Sequence, residues 1–169
     1  MSQFINAEEL ATQWAERICG RLAEMGVPKD EVQETHNIIF SFTRIAAGEL
    51  SQDRQVHLPH SAEPFTINTQ QAHQVIDLFL RGVNHTSKKL RDTGLDWDVR
   101  RKHLETLAWK LFNLAKLLVG FLNMPDPAVA SGLHSDKDLQ VMMKQSADNL
   151  LREELNGVKG VLLPRHLSW

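Results

Sequence analysis

Apolar residues recur every three or four positions along most of the chain, the spacing that gathers them on one face of an α-helix. In the first run Leu10, Trp14, Ile18, Leu22 and Met25 fall in register. Asn6 stands at the N-cap position with Glu9 three residues on, and Ile5 and Leu10 are spaced for a hydrophobic staple. Gly26 is a natural stop, so the pattern predicts a helix over 7–25. Pro28 suits the start of a second helix. Its wide apolar stripe runs through Val32, Ile38, Ile39, Phe42, Ile45 and Ala46. The acids Asp30, Glu31 and Glu34 sit where the helix dipole favours them, and Gly48 is expected to close this helix at 28–48.

Residues 50–67 break the period. The stretch SQDRQVHLPHSAEPFTIN holds two prolines, and Val56, Leu58, Phe65 and Ile67 are placed for a short hairpin around Pro59 to Pro64. The segment is therefore expected to be either a long irregular loop or a short hairpin, and long loops often carry function. Asn68 with Gln71 restores the capping signature and opens a third helix over 69–92, its stripe running from Val75 to Leu90. A fourth follows Asp96 or Asp98, over 97–123. From Leu104 to Leu122 only Thr106, Lys110, Asn113 and Lys116 form a polar strip, so this helix is expected at the centre of the molecule. Ser135 with Asp138 marks a fifth helix that Gly157 ends, with Leu139, Met143 and Leu150 on its inner face.

Five such stripes joined by mostly short connections bury themselves only against one another. The fold class is therefore all-α: a bundle of about five helices around the hydrophobic helix 97–123, in a single domain spanning 1–169. Replacing Leu111 or Leu114 by alanine is expected to cost about 2–5 kcal/mol. A tail at 158–169 carries Leu162, Leu163, Leu167 and Trp169, apolar side chains that need a surface to cover them.

Composition adds limits. A length of 169 residues, 42% hydrophobic and 24% charged, is that of an ordinary globular chain. The net charge of -2 argues against a general nucleic-acid binder, whose affinity comes from neutralising phosphates. The single cysteine, Cys19, excludes an internal disulfide and reads as a small buried apolar group. The start, MSQFINAEEL, lacks a basic segment followed by an apolar run, and the most apolar stretch is interrupted by charges. The expectation is a cytoplasmic protein without a membrane span.

Candidate chemistry is sparse. Eight histidines invite a metal reading, yet no Glu-x-x-His, HExxH or Cys/His cluster appears. His36, His73 and His103 are the three that a suitable helix alignment brings together. No GxSxG and no glycine-rich phosphate loop is present, so no catalytic residues and no cofactor are assigned. Charge is more telling. Between Arg81 and Lys116 nine cations face four acids, and Lys88, Lys89, Arg91, Arg100, Arg101 and Lys102 flank one helix–helix turn. They are expected either to form a basic patch for an acidic partner, a phosphate-bearing ligand or nucleic acid, or to be solvated helix ends.

The leading functional expectation is a non-enzymatic interaction module, an adaptor, regulator or assembly factor, that binds a protein partner or a second copy of itself. The tail residues Leu162, Leu163, Leu167 and Trp169 would contribute to that surface. The alternatives are a bundle binding a small ligand, metal or haem, and a nucleic-acid accessory protein using the 88–102 patch.

Overall fold

Each predicted stripe forms a helix in the computed structural model, which describes residues 7–52, 55–56, 65–122 and 135–156. The elements are α1 (Ala7–Glu24), α2 (Lys29–Gln52), α3 (Thr69–Arg91), α4 (Trp97–Leu122) and α5 (Asp136–Leu155). Between α2 and α3 lies a two-stranded antiparallel ladder, β1 (Gln55–Val56) and β2 (Phe65–Thr66), with Val56 opposite Phe65. The bundle is all-α apart from this short hairpin. The linkers 57–64 and 123–134, Asn6 and the tail residues Leu162, Leu163, Leu167 and Trp169 lie outside the described residues.

Local chemistry sets the helix ends. Asn68 Oδ1 accepts from the Gln71 amide and Gln71 Oε1 accepts from the Asn68 amide, both at 2.8 Å, a complete capping box. Ser135 Oγ accepts from the Asp138 amide at 3.3 Å. At the end of α1, Gly26 takes φ +78° while the Val27 amide reaches back to Leu22 O at 3.1 Å, the wrap-around that a left-handed glycine permits. One boundary differs from expectation. The second helix does not stop at Gly48 but continues to Gln52. Leu50, only 1% exposed, lies one turn beyond the buried Ala46, and burying a leucine outweighs the roughly 1 kcal/mol that a glycine costs inside a helix.

The helices alternate in direction. Cys19 Sγ meets Val32 O across α1 and α2, Phe79 packs on Phe112 across α3 and α4, and His103 meets Glu154 across α4 and α5. Consequently α1, α3 and α5 run one way and α2 and α4 the other. The fourth helix packs on α2, α3 and α5, and it shares the centre with α3, which touches all four others. Phe79, Leu80, Leu107, Leu111 and Phe112 are the heart of the core. Leu111 is fully buried and Leu114 only partly, so the full cavity cost falls on Leu111. Gly82 brings α5 close: a Cβ there would meet Met143 Cε at 2.5 Å. Among the described residues no helix is long and apolar enough to cross a membrane.

Candidate functional site

The cations expected around the α3–α4 turn divide into two groups. Arg91, Arg100 and Arg101 are taken up by acids from the start of α2. Arg100 Nη1 donates to Glu31 Oε1 at 2.8 Å, and Arg91 Nη1 approaches the same oxygen at 3.4 Å. Arg101 Nη1 is 3.3 Å from Glu34 Oε2, which also accepts from the Trp97 indole N–H. Arg100 Nε further donates to Leu95 O at 2.8 Å. Glu31 is 8% exposed, so this is a nearly buried junction that ties α2 to the α3–α4 turn. Lys102 is exposed on the outer face of α4.

Lys89 lines a cleft beside α1 and α2, whereas Lys88 faces the other way, toward α1 and α5. There, Arg17 and Arg21 on α1, Arg81 and Lys88 on α3, and Lys144 on α5 line a cleft of about 220 Å³. Its wall also includes Trp14, Asn84, His85 and Gln140, and among the described residues it contains no carboxylate. Arg81 is engaged, its Nε donating to Asp77 Oδ2 at 2.8 Å. Arg17 and Arg81 each lie 5.3 Å from the Trp14 ring centroid, and the Trp14 indole donates to Asp77 Oδ1 at 3.2 Å. Trp14 is thereby flanked by two guanidinium groups. Arg17, Arg21, Lys88 and Lys144 form no ion pair with a carboxylate among the described residues.

The electrostatic consequence appears at Lys88. Partial burial, then the charges of Arg21, Arg17, Lys144 and Lys89, pull its ammonium below the ordinary lysine value. Helix dipoles account for Arg21 and Lys88, which stand in the last turns of α1 and α3. They do not account for Arg17 or Lys144, which stand further inside their helices.

A second, larger cleft of about 560 Å³ adjoins the first and shares Arg21, Asn84 and Lys88 with it. Ile18, Leu22 and Met25 supply its apolar wall, and Glu24, Glu31 and Asp92 also line it. Met25 is 65% exposed. The two clefts together offer a cationic pocket continuous with an apolar trough.

The three histidines considered for a metal are dispersed. His36 stacks on Phe40 along α2, with centroids 4.7 Å apart. His73 lies beside Glu9 and Asp77 in a cleft between α1, α3 and α5. His103 Nδ1 is 3.0 Å from Glu154 Oε1 on α5. Among the described residues no group of three or more His, Cys, Asp or Glu is placed to hold a metal ion. His85 Nε2 sits 2.6 Å from Asp148 Oδ1, so α5 carries a carboxylate clamp to α3 as well as to α4. Cys19 is half-buried and its thiol is pushed up by burial, which disfavours the reactive thiolate.

Sequence reading found Lys88 and Lys89 but missed Arg17, Arg21 and Lys144. The available signal was that Arg17 and Arg21 share a helix face one turn apart, beside the apolar stripe. Comparison with known proteins supplies no relative for this arrangement: no protein-family model, no curated protein and no solved structure matches the chain.

Proposed function

We propose that this protein is a non-enzymatic helical binding module that engages an acidic segment of a protein partner on the face where α1, α3 and α5 meet. One observation carries the reading: Arg17, Arg21, Lys88 and Lys144 converge from three helices on a cleft without a carboxylate. At the α3–α4 turn, by contrast, Arg91 and Arg100 find an acid in Glu31. Holding like charges together disfavours the folded chain, and an acidic partner relieves that repulsion while gaining charge-assisted hydrogen bonds. The carboxylate-engaged histidines, 85 and 103, bridge helices and thus serve the scaffold that presents this face.

The nucleic-acid alternative draws less support, because half of the cations between 88 and 102 are taken up by Glu31 and Glu34. The test is fluorescence anisotropy of a labelled oligoglutamate peptide, with oligolysine as control. Binding is expected at low salt, weakening as salt rises, and lost in the double variant Arg17→Glu with Lys144→Glu. Absence of oligoglutamate binding at low salt, or binding indifferent to that double reversal, overturns the reading.

A further inference from the structure

We infer that the group anchored between Arg17, Arg21, Lys88 and Lys144 is a phosphate monoester whose apolar substituent lies in the adjoining trough. This rests on the binding face proposed above and specifies its ligand chemistry. The first ground is charge. Four cations without ion-pair partners among the described residues line one small cleft. A carboxylate brings one negative charge, whereas a phosphate monoester brings about −1.5 to −2 and three strong acceptor oxygens. The second is the donor set. Two guanidinium forks suit bidentate contact with phosphate oxygens, and two ammonium groups supply adjustable point charges.

The third ground is continuity. Arg21, Asn84 and Lys88 belong to both clefts. A phosphate held by them therefore has its ester substituent directed along Leu22 and the exposed Met25, the latter an adaptable apolar side chain. Burial, and after it the like charges of Arg21, Arg17, Lys144 and Lys89, lower Lys88's proton affinity, and a bound dianion would offset the like-charge part.

Isothermal titration of the full chain at low salt with phenyl phosphate, benzoate and inorganic phosphate tests the inference. Phenyl phosphate is expected to bind about tenfold more tightly than benzoate, a ratio set by the extra charge and acceptor. It should also bind more tightly than inorganic phosphate, and Met25→Ala should erase that second advantage. Arg21→Ala and Lys88→Met should each weaken phenyl phosphate about tenfold with unfolding midpoints retained, while Lys102→Ala leaves it unchanged. A phosphoserine–leucine amide arm separates the sources. Tighter binding than phenyl phosphate points to a partner's modified side chain, weaker binding to a small phosphorylated molecule, and either agrees with the inference.

Equal affinity for benzoate and phenyl phosphate overturns the phosphate assignment and leaves the acidic-partner reading standing. Phosphate binding that survives both Arg21→Ala and Lys88→Met overturns this location. Failure of every anion, oligoglutamate included, overturns both proposals.

Discussion

Two groups of basic side chains in this bundle have opposite fates. At the start of α2, Glu31 receives Arg91 and Arg100, and Glu34 receives Arg101 and the Trp97 indole. Between α1, α3 and α5, Arg17, Arg21, Lys88 and Lys144 line a cleft with no acid among the described residues of its wall. The residue types are alike, and the difference is the presence of counter-charges brought by a neighbouring helix. Where a carboxylate arrives, the cations become part of the scaffold. Where none arrives, the cations stay exposed to solvent, and the proposed binding face rests on them.

The comparison is broken most forcefully at Glu31. Glu31→Ala leaves the nearly buried Arg100, and Arg91 beside it, without their acid, and should destabilise the fold by about 3 kcal/mol in urea unfolding. Next comes Asp148→Ala, which removes the partly buried His85 contact at 2.6 Å. It should cost about 1.5 kcal/mol. Because Asp148 is a negative charge close behind the cationic cleft, the same variant should bind phenyl phosphate more tightly than the parent does. Unchanged affinity would show that the field of the cleft does not control binding.

Arg101→Ala should cost no more than about 0.5 kcal/mol, since both it and Glu34 are more than a third exposed. The smallest effect has the opposite sign. Lys88→Met removes a repelled cation and should raise stability by about 0.3 kcal/mol at neutral pH, the scale of one exposed like-charge contact. The pH dependence follows from the direction of the Lys88 shift. Its folded value lies below the ordinary 10.5, so in the window between the two the unfolded chain holds the proton more firmly. Stability therefore gains from Lys88 as pH rises toward 10.5. The advantage of Lys88→Met should accordingly be present at pH 7 and shrink toward that limit. An advantage that grows with pH would contradict the repulsion.

Much of the scaffold was readable in advance. The caps at Asn68 and Ser135 and the stop at Gly26 depend on partners within a few residues, and each formed as its motif requires. The end of α2 is not legible locally, because Gly48 is a local signal whereas the pull on Leu50 comes from the core that surrounds it. Sequence spacing groups Lys88 and Lys89 in one basic patch with Arg91, Arg100, Arg101 and Lys102. Counting charges along 81–116 could not reveal that Glu31 and Glu34 neutralise half of that patch, or that Lys88 joins Arg17, Arg21 and Lys144 in a cleft.

The sequence by itself determined the helices, because a helix is specified by contacts three and four residues apart and by its own terminal hydrogen bonds. Tertiary structure alone decided which cations are satisfied and which are left facing a cleft. A charge interacts through a few ångströms of space, and here those ångströms separate residues 60 or more positions apart in the chain.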